Sequence, residues 1–217
     1  MVFRMRLANM LSLGLVLISF IVGVYYYPFM PERMTTHWNI NGDGDGSSSK
    51  FVGLFLVPFI FLSFTVILIV IPRLDPLKEN ITLFRKYYDG LIIVFSVFIF
   101  SIFVQVILWN LGFRISPNHV FPLGIGYLLF YLGVLMEHAK RNWFIGIRTP
   151  WTMSSENVWN KTHKVGGKLF KISGLMTFVA VIFPRFILII VIFIIVGAAY
   201  TVVYSYLEYR KEIIKAK

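Results

Sequence analysis

Long apolar stretches recur along the whole chain with only short polar connections between them, and this pattern leaves few choices of fold. They run Leu7 to Tyr27, Phe51 to Ile71, Leu91 to Leu111, Val120 to Met136, Leu169 to Phe183 and Phe186 to Leu207. A helix needs about 20 mostly apolar residues to cross a hydrocarbon core roughly 30 Å thick. The fourth and fifth stretches are shorter and gain length by continuing as helix into flanking polar sequence. Within the hydrocarbon every backbone N–H and C=O must be satisfied inside the segment, which a helix does. The expected fold is therefore all-α, a polytopic membrane protein of about six transmembrane helices. Only 14% of its residues are charged, against about 25% in soluble domains, and 217 residues leave no room for a large extramembrane domain.

Lys and Arg divide unequally between alternate connections: seventeen fall on one side and only Arg33, Lys50, Arg114 and Arg185 on the other. The positive-inside rule then places both termini in the cytoplasm, in a multi-pass protein of the cytoplasmic membrane. The same clustering accounts for the net charge of +11 without direct nucleic-acid binding. Arg4 and Arg6 precede the first apolar run as in a secretory signal. That run ends in Tyr25-Tyr26-Tyr27-Pro28 with no small-residue cleavage site, so it is expected to stay as an anchor. Pro184 and Arg185 separate the last two stretches. They are expected to form a tight hairpin, with Pro184 forcing Phe183 out of helical geometry.

Composition also limits chemistry. With no cysteine, disulfides, thiolate nucleophiles and Cys-ligated metals are excluded. The six stretches contain no Asp, Glu, His or Arg, and Lys171 sits near the end of its span, where its stem can snorkel to the interface. Ionisable groups inside a membrane mark ion paths and active sites. Hence no catalytic residue, metal or cofactor is expected, and the chain reads as a non-enzyme. Glu137, His138 and His163 are the one grouping that could meet for catalysis. Gln105 and Asn110 are best explained by interhelical hydrogen bonds, and Gly124, Gly126, Gly133, Gly197 and Ala198 by close helix approach. The alternative function is a small transporter or channel, its path lined by helices kinked at Pro58 and Pro122.

Two polar connections carry specific information. In the extracytoplasmic one, Asn41-x-Asp43-x-Asp45-Gly46 matches the start of a calcium loop. The twelfth position is Val52, where a bidentate glutamate is required, so a turn is expected instead. His37 beside Trp38 is open to two readings, a pH-sensitive or ligand-binding pair and an interfacial anchor. The cytoplasmic connection spans Glu137 to Trp159. Pro150 extends Thr149, and Ser154 or Ser155 ahead of Glu156 starts a helix. Trp159, His163 and Phe170 share a face, which suggests an amphipathic collar on the inner membrane surface. That collar is either an anchor to anionic lipid or a docking surface built on Arg148, Trp143 and Trp151.

The run Asn142 to Trp151, Asn-Trp-Phe-Ile-Gly-Ile-Arg-Thr-Pro-Trp, with Ser154-Ser155, Trp159, Thr162-His163 and Gly166-Gly167, resembles the signature of the SdpI-type immunity protein family. Pro31, Thr36-His37-Trp38-Asn39, Gly42, Asp45 and Ser49-Lys50 are similar to the small membrane domain at the N-terminal end of these proteins. The resemblance implies a two-helix domain over 1–75 with an extracytoplasmic His-Trp-Asn loop, followed by a four-helix SdpI-like domain over 76–217. It implies immunity to a secreted toxic peptide, with inward signalling by capture of a cytoplasmic transcriptional repressor. On this chain the toxin-side residues would be His37, Trp38, Asn39 and Asp45. The signalling residues would be Asn142, Trp143, Arg148, Thr149, Pro150, Trp151, Trp159 and His163. The lipid bilayer, the toxin and the repressor are the implied partners.

Overall fold

A computed structural model describes residues 6–215; Arg4 and Lys217, both part of the charge asymmetry, lie outside them. The elements in order are α1 (Leu7–Tyr26), a 3₁₀ turn (Tyr27–Phe29), β1 (Arg33–Trp38), β2 (Gly44–Ser49), α2 (Lys50–Leu74), α3 (Lys78–Leu83), α4 (Arg85–Asn110), α5 (Pro117–His138), α6 (Pro150–Ser154), α7 (Glu156–Ile182), a second 3₁₀ turn (Pro184–Phe186) and α8 (Ile187–Lys215). Six of the helices, α1, α2, α4, α5, α7 and α8, are long and apolar enough to cross a membrane. The protein is a multi-pass membrane protein.

Burial runs opposite to that of a water-soluble fold. On α8, Leu188, Ile189, Ile192, Ile195 and Val196 are exposed while Thr201, Ser205 and Glu208 are buried. On α1, Leu11, Leu17, Ile18 and Ile21 are exposed while Asn9, Ser12 and Ser19 are buried. Such faces are stable only where the surrounding solvent is hydrocarbon and polar groups must find partners inside.

The chain forms two compact units. The first comprises residues 6–69 with Ile92–Ile125. Hydroxyls bridge its helices: Ser96 Oγ donates to Ser12 Oγ at 2.8 Å, and Ser12 Oγ lies 2.9 Å from Thr65 Oγ1. Val16, Phe61 and Ile99 pack in one buried cluster, and Met30, Met34, Leu54, Phe103, Val106 and Ile107 in another. β1 and β2 pair antiparallel, with Arg33 opposite Ser49 and irregular register around His37. Among the described residues these strands are the one departure from an all-helical reading. β2, Gly-Asp-Gly-Ser-Ser-Ser, has little strand propensity, and its pairing with β1 overrides that weak preference. The turn falls at Asn39 to Asp43, earlier than the Asn41 to Gly46 run suggested, because Gly44 to Gly46 pair as part of β2. Asn39 N donates to Asp43 O and Gly42 N to Asn39 O, both at 2.9 Å, and Gly42 takes a φ of 86°.

The second unit comprises Val70–Leu91 with residues 126–215. α5 and α7 approach through paired glycines. A Cβ on Gly174 would lie 2.6 Å from the Gly126 carbonyl oxygen, and one on Gly167 would lie 2.8 Å from that of Gly133. Gly126 and Gly133 thus do what the sequence suggested, with partners on α7 that it did not. Gly124 instead faces the Phe98 ring, and Gly197 has no neighbour closer than an ordinary contact with Leu169, so neither brings two backbones together. Lys171 pairs with a carboxylate at the end of α5, its Nζ lying 2.7 Å from Glu137 Oε1. α7 ends where Pro184 requires, with Phe183 at φ −126° and ψ 82°.

Candidate functional site

The hairpin, the 139–155 loop and the first turns of α7 carry the toxin-side and signalling residues singled out above. On the hairpin, His37 Nδ1 and Asp45 Oδ1 are 2.5 Å apart, and both side chains are exposed. Gly46, which faces His37 across the pair, leaves room for this contact, since a Cβ there would press on the His37 Cβ at 2.9 Å. Trp38 turns the other way and meets Trp109 and Phe121 edge to face, with centroids at 5.5 and 6.3 Å. The Arg114 guanidinium lies over the Trp109 ring at 4.9 Å. The indole N–H groups of Trp38 and Trp109 are buried and find no acceptor among the described residues. Asn39 is a turn residue, its Oδ1 accepting from Asn41 N at 2.9 Å and Asp43 N at 3.0 Å.

Asn110, expected to bond another helix, holds this hairpin instead. Its side-chain amide accepts from Thr35 N at 2.8 Å and donates to Thr35 O at 2.9 Å, as a neighbouring strand would. Gln105 Nε2 donates to Ile115 O at 2.6 Å, fixing the loop after α4. Both amides therefore satisfy backbone at the end of a span, where its hydrogen bonds would otherwise be unmet.

The 139–155 loop is organised by Asn142, which is fully buried. Its Oδ1 accepts from Phe144 N and Ile145 N at 3.0 and 2.6 Å, and its Nδ2 donates to Lys140 O and Ile145 O at 2.9 and 3.0 Å. One amide closes the turn. Gly146 follows with φ 110°, and a Cβ there would strike His163 Nε2. Ile147 N donates to that Nε2 at 2.9 Å. A ring nitrogen that accepts carries no proton, so His163 is the neutral form with its proton on Nδ1, which donates to Trp159 O at 2.8 Å. The His163 ring stacks on Trp159 at 3.8 Å, and Trp159 Nε1 donates to Ala139 O at 2.7 Å.

Thr149 caps α6 in a reciprocal box with Thr152, and its hydroxyl also reaches Ser205 Oγ at 3.0 Å. Ser155 caps α7, accepting from Val158 N at 3.2 Å, so the predicted helix start is found there. Trp151 packs on Tyr206 with centroids 5.0 Å apart. Trp143, Phe144, Arg148 and Pro150 are exposed, and the Arg148 guanidinium donates to the Trp143 carbonyl. An open cavity of about 480 Å³ lies among Trp143, Gly146, Arg148, Thr149, Pro150 and Met153.

The amphipathic collar is corrected by this geometry. Trp159 and His163 are both buried against the loop, so their face serves the interior, while Trp143, Phe144, Arg148 and Pro150 are exposed and Trp151 is half-buried. Three contributors were missed in the sequence. Asp75 Oδ2 accepts from Trp143 N at 2.9 Å while Oδ1 accepts from Leu77 N at 2.7 Å. Asn80 Nδ2 donates to Arg141 O at 2.7 Å, and Thr152 Oγ1 donates to Ile147 O at 2.8 Å. The available signal was Asp75 before Pro76, an aspartate placed to accept from a backbone amide two residues on.

Glu137, His138 and His163 do line one cavity of about 440 Å³. Glu137 is paired with Lys171, and His138 stacks on Tyr87 at 3.7 Å while its Nδ1 bonds Val134 O at 2.9 Å. With His163 held by Ile147 and Trp159, the three side chains are engaged by three separate sets of partners.

Comparison with known proteins bears on both regions. Residues 138–205 match the SdpI/YfhL protein family, and residues 14–62 match a Domain of unknown function (DUF1648). The chain is 25% identical over 205 residues to Immunity protein SdpI of Bacillus subtilis (strain 168), covering 94% of this chain and 96% of that protein. No solved structure matches it. The Asn142 to His163 stretch lies inside the segment that matches the SdpI/YfhL protein family, and the chain is similar to Immunity protein SdpI nearly end to end.

Proposed function

We propose that this protein confers immunity on the membrane that contains it, against a secreted toxic peptide. The observation that carries the reading is the similarity to Immunity protein SdpI along nearly the whole length of both chains. The hairpin supports it with suitable chemistry. Trp38 and Trp109 each hold a buried indole N–H without a partner among the described residues, and an unmet donor is costly enough to favour any acceptor that reaches it. Backbone carbonyls of a hydrophobic peptide are such acceptors. His37 and Asp45 offer an exposed hydrogen-bonded pair on the same hairpin.

In this reading the hairpin faces outward and both termini lie in the cytoplasm, in the cytoplasmic membrane. The N-terminal region 1–75 meets toxin, and 76–217 carries the Asn142 loop on the inner side. No chemistry is performed. The finer step is signal relay to a cytoplasmic repressor through Trp143, Arg148 and Trp151. Exposed Trp143 and Arg148 support it, with the Asp75 carboxylate accepting from the Trp143 amide at 2.9 Å. A transporter path through Gln105 and Asn110 has less support, because one amide is spent on loop backbone and the other on β1 backbone.

The test is survival of toxin-sensitive cells expressing the wild type, His37→Ala, Trp38→Phe or Arg148→Ala, with membrane levels matched by immunoblot. Immunity requires protection by the wild type and its loss in His37→Ala or Trp38→Phe. Arg148→Ala should keep protection and lose any toxin-dependent relief of repression. A well-inserted wild type that protects against no secreted peptide refutes the reading.

A further inference from the structure

We propose that the cavity beside Arg148 binds the phosphate of an anionic phospholipid. Its lining carries one cation and no acid: Trp143, Gly146, Arg148, Thr149, Pro150 and Met153 enclose about 480 Å³. That volume falls in the range of small-molecule sites and suits a glycerophosphate head. The Arg148 guanidinium uses one N–H on the Trp143 carbonyl, which orients its planar fork while leaving further donors for two phosphate oxygens. Pro150 and Met153 supply the apolar wall that glycerol and the first acyl carbons require.

Position distinguishes a lipid from an acidic protein segment. The loop leaves the end of one membrane-spanning helix, α5, and returns to another, α7. Trp143 and Phe144 are 51% and 40% exposed immediately beside the cation, as expected for aromatic side chains at headgroup level. Lys140 and Arg141 precede them in the chain and add to the attraction for an anionic surface. An acidic peptide would meet the same charge, but it would leave two exposed rings without the acyl surroundings they suit.

The proposal does not depend on toxin immunity, because it is read on the full-length purified protein with no toxin present. Phosphatidylglycerol is titrated into the protein in phosphatidylcholine nanodiscs. Binding is followed by native mass spectrometry and by the shift in thermal midpoint. The wild type should bind phosphatidylglycerol saturably, and Arg148→Gln should bind it about tenfold more weakly. Arg148→Lys should fall between them, and Arg185→Gln should match the wild type. Should Arg148→Gln fold poorly, Met153→Glu puts an acid in the wall without touching the Thr149 cap and should show the same loss. Equal binding by wild type and Arg148→Gln overturns the proposal. So does equal affinity for phosphatidylcholine. Inorganic phosphate alone binding as tightly would mark a free-phosphate site, and displacement by poly-glutamate but not by phosphatidylglycerol would mark a protein-docking surface; either result overturns the lipid assignment.

Discussion

The hairpin and the Asn142 loop are both polar connections between membrane helices, yet they are held by opposite means. In the loop, Asn142, Thr149, Thr152 and Trp159 are buried and their side-chain polar groups are satisfied within the second unit. In the hairpin, two strands with bulged register are attached through the Asn110 and Asn118 amides and the buried Met34 side chain, His37 and Asp45 face outward, and the indole N–H groups of Trp38 and of Trp109 behind it find no acceptor among the described residues. A fully satisfied network specifies one conformation, whereas an incompletely satisfied one has free energy to gain from a ligand. The loop is built to hold its shape and the hairpin to receive something.

The largest expected effects come from attacking the loop. Gly146→Val asks a β-branched residue to adopt φ 110° and drives its side chain into His163. The cost should be about 3 kcal/mol or more, seen as loss of folded protein on detergent extraction and as a thermal midpoint far below the wild type. A fully stable Gly146→Val would mean the loop is soft, and the contrast with the hairpin would fail. Asp75→Ala comes next. It leaves the Trp143 and Leu77 amides without their acceptor, at about 1–3 kcal/mol in a group that is 2% exposed. Hydrogen exchange should rise at residues 142–148 and 76–78. Exchange unchanged at Trp143 would remove Asp75 from the relay pathway.

The spans were legible because twenty apolar residues in a row have only one low-energy state in hydrocarbon. A turn in the hairpin was legible for a similarly local reason, Asn and Gly sharing a short segment, but not its place at Asn39 to Asp43. What escaped was decided by distant pairing. Nothing local in Gly-Asp-Gly-Ser-Ser-Ser favours a strand, and it becomes one because Arg33 to Trp38 lies opposite. Asp75 and Trp143 are far apart in sequence, so only the fold reveals that one holds the other. Trp159 and His163 were placed on one helix face correctly, but periodicity does not say whether such a face meets lipid or protein.

A smaller effect is expected from freeing the hairpin. Asn110→Leu removes both bonds to Thr35 and leaves the hairpin backbone short of one donor and one acceptor near its base. Because that edge can recruit water once it loosens, the global cost should be about 1–2 kcal/mol. Exchange should increase over residues 33–49 and stay unchanged over 139–155. A uniform increase across both would show that the two regions do not differ in how they are held.

The least stability effect, and the sharpest test of the comparison, belongs to His37→Ala and Asp45→Asn. Their pair is short at 2.5 Å but exposed, with His37 73% and Asp45 45% accessible, and exposed pairs contribute less than about 1 kcal/mol. The thermal midpoint should therefore move little, and a double-mutant cycle should give a small coupling energy. Protection against toxin should nevertheless fall in both single variants, because a pair that adds so little to stability is conspicuous on a surface meant to receive a ligand. If midpoint and protection both stay at wild-type values, the pair is an ordinary surface contact, and recognition must rest on the Trp38 and Trp109 indoles behind it. If instead the midpoint collapses, the hairpin is as tightly specified as the Asn142 loop, and its unmet donors would have to be explained by strain within a rigid structure.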